Sequence, residues 1–133
     1  MQVHQLVNFY DWKIPMVGNS VNVDRAWLKD NRETARRFIR SLVETIALMK
    51  KDKNVAFRVM AKDYGITDPE LLAKIYAPMA HLPRKPYPAV EGIKKQMEVF
   101  DLHEMRKHKP EDFYEDSFVR ELDQSGFIDS LYK

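Results

Sequence analysis

The sequence predicts a mainly α chain, five or so helices behind a short extended or β segment at the N-terminus. Three observations predict it. Apolar residues between Ala35 and Met49 recur at helical spacing. Caps and stops stand at Asp24, Asn31, Gly65, Asp68–Pro69 and Gly126. Only residues 1–23 lack both signals.

Val3–Tyr10 alternates loosely and carries Val, Leu and Phe, and Val17–Val23 places three valines around Gly18, Asn19 and Ser20. These read as two short strands or extended segments joined through Trp12, Ile14 and Pro15. From Asp24 onward the period is helical. Asp24 caps a short helix at 25–30, and Asn31 caps a longer one from Arg32 to about Lys51, with Glu33 favourably placed in its first turn. Ala35, Phe38, Ile39, Leu42, Val43, Ile46 and Met49 form its apolar stripe, while Arg36, Arg37, Arg40 and Glu44 take the other faces. Burial of five of those large side chains contributes about 8–15 kcal/mol gross, before chain entropy is subtracted. Such a helix needs a partner surface.

The next helix runs from about Asn54 to Tyr64, with Val55, Phe57, Val59 and Met60 partly buried, and Gly65 supplies a left-handed stop. Asp68 with Pro69 opens a third, carrying Leu71, Leu72, Ile75 and Tyr76, which Pro78 kinks or ends. His81–Pro88 holds three prolines in eight residues and reads as an extended linker with Arg84 and Lys85 held in the open. Pro88 opens a fourth helix through Val90, Ile93, Met97 and Phe100. His103–Lys109 is polar and basic, and Pro110 ends it. A last helix near Asp116–Gln124 buries Phe118, Val119 and Leu122, stops at Gly126, and leads into an apolar turn, FIDSLY.

Composition excludes several function classes. The 133 residues make about one domain, and 22 basic against 20 acidic side chains leave a net charge of only +2, which favours neither nucleic acid nor a membrane surface. The basic residues at 36, 37 and 40 alternate with acids and carry no helix-turn-helix cue. Cysteine is absent, so disulfides, thiolate metal sites and cysteine nucleophiles are excluded. No run reaches the roughly 18 apolar residues of a membrane span, and MQVHQLVNF has neither the basic nor the apolar region of an export signal.

The conspicuous side chains mostly read as structural. His4, His81, His103 and His108 are too dispersed for a metal site, so none is expected. Arg84 and Lys85 either grip an anionic ligand or permease loop, or keep a proline linker in water; the second is the commoner role. Asp112 with Glu115, and Glu121 with Asp123, lack an apolar pocket to raise one pKa and read as helix-start and surface charges. Tyr64, Tyr76, Tyr87, Phe113, Tyr114 and Phe118 could stack a heterocycle but read as core.

Three stretches carry a resemblance: FIRSLVETIALMKKDKNVAFRVMAKDYGITDPELLAKIY, LPRKPYPAVEGI, and PEDFYEDSFVRELDQSGFIDSLYK. In that order, over about residues 14–133, they are similar to the C-terminal part of the sulfonate/nitrate/thiamine-pyrimidine family of ABC-transporter substrate-binding proteins. The resemblance implies the type II periplasmic binding fold, in which two α/β lobes joined by crossover strands hold a small solute and deliver it to a membrane permease. KIPMVGNSVNVDRAWL resembles the return crossover. Residues 1–23 are then the hinge segment and 24–133 the helical C-terminal region of the first lobe, a single truncated domain. Met1 would mark a truncated gene or an expression boundary, and the full-length protein would be periplasmic or at the cell surface.

The resemblance also names candidate ligand-binding residues. The hinge-side turn in the family runs aromatic, Gln, Gly, Thr, Gly; here it reads Met16, Val17, Gly18, Asn19, Ser20, and only the first glycine matches. Gly18, Asn19 and Ser20 are therefore the candidates, with a solvated turn as the alternative. One branch of the family makes the thiamine pyrimidine using a cysteine-rich motif; zero cysteines argue against it, so no catalytic residue and no cofactor is expected. The competing reading is a stand-alone helical interaction module. Either way, unpaired edges near 3–10 and 17–23 and the apolar flank of the long helix predict a homodimer or larger assembly.

Overall fold

The computed structural model describes residues 6–7, 12–100 and 102–133. Most of the first expected strand, at 3–10, lies outside them. The described chain is mainly helical, as the periodicity predicts: α1 Arg25–Asp30, α2 Arg32–Lys51, α3 Lys53–Tyr64, α4 Pro69–Ala80, α5 Val90–Phe100, α6 Ser117–Gln124 and α7 Phe127–Ser130, with 3₁₀ turns at Met105–Lys107 and Pro110–Phe113. No strand forms among the described residues, so of the two readings of 17–23, strand or extended segment, the strand does not hold. A strand needs a neighbour to complete its ladder. Here Val21 and Val23 are exposed, and the Val17 carbonyl accepts from a side chain instead.

Local chemistry explains the helix ends. The Asp24 carboxylate accepts from the Trp27 N–H at 2.9 Å, and Asp68 accepts from both Glu70 and Leu71 N–H at 2.8 and 2.9 Å. Asp52 separates α2 from α3 and accepts from the Asn54 N–H at 2.9 Å. Gly65 ends α3 at φ 68°, a left-handed conformation that favours glycine.

Asn31 departs from its expected role. It makes no side-chain cap on α2; its Nδ2 donates to the Trp27 carbonyl at 2.9 Å, so it closes α1. Pro78 does not end α4, which continues to Ala80 and holds the proline inside it, at the cost of the N–H that would bond back one turn. Pro110 begins a 3₁₀ turn, and the Asp112 carboxylate accepts from the Lys109 N–H at 2.9 Å.

The contacts divide the chain into two units. The larger, Val23–Tyr87 with Asp116–Lys133, holds two apolar clusters. In one, Val43 of α2 packs with Val119, Leu122 and Ile128, flanked by Ile39, Phe127, Leu131 and Tyr132. In the other, Ala56 and Met60 of α3 pack with Leu72 of α4, with Met49, Phe57, Ile75 and Tyr76 around them. The buried face of α2 centres on Val43, Ile46 and Ala47. Phe38, expected in the core, is 53% exposed. It sits about 100° around the helix from Ile39, beyond the surface that α6 and α7 cover.

Arginines of α2 complete the packing on α6 and α7. The Arg32 guanidinium lies 4.7 Å from the Phe118 ring centre and Arg40 lies 4.3 Å from that of Phe127. Arg36 pairs with Glu121 at 3.2 Å.

The smaller unit comprises the described residues up to Asn22 together with Pro88–Glu115. It contains α5 and both 3₁₀ turns. Gly92 is buried in it.

Candidate functional site

The candidate turn Gly18–Asn19–Ser20 belongs to the smaller unit, and α5 supports the chain that leads into it. An ideal Cβ on Gly92 would lie 2.8 Å from the Met16 carbonyl carbon and 3.0 Å from the Val17 nitrogen. The backbone can approach α5 that closely only because residue 92 has no side chain. One helical turn further on, Gln96 Nε2 donates to the Val17 carbonyl at 2.9 Å. Residues four apart share a helix face, so Gly92 supplies the seat and Gln96 the tie.

Beyond that anchor the turn is open. Gly18, Asn19 and Ser20 are all exposed, and nothing lies within 4 Å of a Cβ built on Gly18. The Ser20 hydroxyl donates to Asn22 Oδ1 at 3.3 Å. The turn thus presents an amide, a hydroxyl and backbone polar groups, and none of its three residues titrates. It can hydrogen-bond a small polar solute.

Gly92 and Gln96 were not singled out as site residues from the sequence. The available signal was a glycine inside the helical segment VEGIKKQ, which signals close approach of another backbone.

Lys85 is not held out in solvent as the linker reading expects. Within the larger unit its Nζ lies 2.7 Å from Asp123 Oδ1 and 3.1 Å from Asp129 Oδ1, and the Tyr87 hydroxyl donates to Asp123 Oδ2 at 2.8 Å. Hydrogen bonds from Lys85 and then Tyr87 hold the Asp123 carboxyl below the usual carboxylate range. Bonds to Asp123 and then Asp129 raise the Lys85 pKa, and the bond to Asp123 raises that of Tyr87. The stretch RKPY is therefore fastened to the segment ELDQSGFID.

Other expectations divide. Of the six aromatics read as core, Phe118 is buried and Tyr76 and Tyr114 are partly so, but Tyr64, Tyr87 and Phe113 are exposed. Tyr64 is 75% exposed because it ends α3 beside the Gly65 stop, past the contact with α4. His81, His103 and His108 are exposed, and His4 lies outside the described residues. Among the described residues no group of three His, Asp or Glu could hold a metal ion, and no helix is long and apolar enough to cross a membrane. No family model, no curated protein and no solved structure matches the chain.

Proposed function

We propose that this chain is the C-terminal portion of a solute-binding component of an ABC-type importer, and that Gly18, Asn19 and Ser20 contribute hydrogen bonds to a small organic or anionic solute. The resemblance over 14–133 motivates the family and its type II binding fold. The observation that carries the ligand role is the anchoring of Met16–Val17 on Gly92 and Gln96, which fixes the backbone while leaving the next three residues exposed. A held turn with exposed polar groups costs little ordering entropy when a solute binds. In the whole protein the solute would pass to a permease, and the compartment would be periplasmic or at the cell surface.

The test is thermal unfolding of the 133-residue chain with sulfonates, nitrate, bicarbonate, pyrimidines and aromatic carboxylates. A ligand at a hundred times its dissociation constant adds about 2.7 kcal/mol, which raises the midpoint by several degrees in a domain of this size. No shift with any compound, in a cooperatively folding chain, overturns ligand binding by this portion.

A second reading is a helical self-association module without ligand binding. The observation favouring it is Phe38, half-exposed in the middle of α2, with Trp27 of α1 also exposed in the same unit. Light scattering at micromolar concentration tests the association. A dimer abolished by Phe38→Ser supports association through α2, and a monomer rules it out.

A further inference from the structure

In the larger unit, Lys50, Lys51, Tyr76, Ala80, Arg84 and Tyr132 line an open recess of about 360 Å³. Three of the six lining residues are cations and none is a carboxylate. Lys50 Nζ donates to the Ala80 carbonyl at 2.6 Å, which uses one of its three N–H groups. The Arg84 guanidinium lies 4.6 Å from the centre of the Tyr132 ring.

Lys50 and Lys51 close the last turn of α2, where the helix dipole favours positive charge. That accounts for the lysines but not for an arginine brought from the linker after α4. Nor does it account for Tyr132, whose hydroxyl oxygen is buried without a hydrogen-bond partner among the described residues. Burial raises the Tyr132 pKa, with Arg84 opposing; the hydroxyl oxygen has no accessible surface, so the ring of Tyr132 and not its oxygen lines the recess.

We infer that this recess binds a small organic phosphate, its oxygens taken by Arg84, Lys51 and Lys50 and its organic group set against Tyr76. A guanidinium fork with two ammonium groups suits a doubly charged oxyanion better than a singly charged carboxylate. The recess is also larger than inorganic phosphate needs, which leaves room beside the Tyr76 ring. This site is separate from the turn at 18–20 and does not depend on the solute reading.

The experiment is a ¹H–¹⁵N NMR titration of the full chain with phenyl phosphate, inorganic phosphate, and sodium chloride at matched ionic strength. Phenyl phosphate is expected to bind with a dissociation constant of about 1 mM or tighter, more tightly than inorganic phosphate, with shifts centred on Lys50, Lys51, Arg84 and Tyr132. Arg84→Gln should weaken it about tenfold and Lys51→Gln about threefold. Lys29→Gln should leave it unchanged. Shifts reproduced by sodium chloride, or full affinity in both Arg84→Gln and Lys51→Gln, overturn the proposal. Lys51 is exposed, so its variant keeps the test valid even where Arg84→Gln disturbs the fold.

Discussion

Lys85 and Asp123 are joined at 2.7 Å, and Tyr87 takes the second oxygen of the same carboxylate. The contact spans 38 positions of sequence and ties a proline-rich linker to the last helices of the chain. It gives the linker a fixed path, which proline alone does not provide.

Its pH dependence follows in sign. The Asp123 pKa is depressed by folding, so its contribution is present above the unfolded carboxyl value, about 3.9, and is lost as pH falls through the folded value. The Lys85 and Tyr87 values are raised, so their contributions are full below the unfolded values and are lost as pH rises through the folded ones. Thermal unfolding of the wild type should therefore lose more stability than Asp123→Asn between neutral pH and the acid range. Parallel curves for the two proteins would show that the carboxylate gains nothing from Lys85 and Tyr87.

Gly92→Ala should destabilise by about 1–3 kcal/mol, as overpacking does, although alanine in a helix is intrinsically better than glycine by about 1 kcal/mol. The added methyl meets the backbone of Met16 and Val17, which cannot rotate away as a side chain tip would. Gly18→Ala faces open space and should change stability by less than about 0.5 kcal/mol. Urea denaturation of both variants decides the point, and a stabilised Gly92→Ala would mean that the chain does not approach α5 so closely.

Ile128 is fully buried and Phe38 is half-exposed. Ile128→Ala should cost about 2–5 kcal/mol, and Phe38→Ala less than about 1 kcal/mol in the monomer. Equal losses in denaturant titrations would return Phe38 to the core.

Capping gives a fourth contrast. Asp68→Ala removes an acceptor serving two backbone N–H groups and should cost about 0.5–2 kcal/mol. Asn31→Ala removes no cap from α2, so its effect should be smaller, limited to the bond that closes α1. A larger loss for Asn31→Ala, measured by circular dichroism melting, would reverse the assignment.

Much of the fold was legible because it is set locally. Asp24, Gly65 and Asp68–Pro69 act through neighbours within a turn, and Phe118, Val119 and Leu122 mark a buried face of α6 by spacing alone. What could not be read depends on residues distant in sequence. The stripe on α2 shows which residues are apolar but not how wide a surface covers it, and so Phe38 was misplaced. The valines at 17, 21 and 23 carry strand propensity, yet the chain there takes its support from Gln96. Lys85 looked solvated because both its acidic partners lie about 40 residues on. The candidate turn was found through one matching glycine. Its support on Gly92 and Gln96 required the structure.

The central claim is that a small solute binds at Gly18, Asn19 and Ser20. The most direct measurement is a ¹H–¹⁵N NMR titration of the chain with whichever compound most raises its unfolding midpoint, read residue by residue. Binding at this site predicts saturable shifts centred on residues 17–22 and the Gln96 side-chain amide, lost in the Asn19→Ala, Ser20→Ala double variant. Shifts centred elsewhere, or unaltered affinity in that variant, would contradict it.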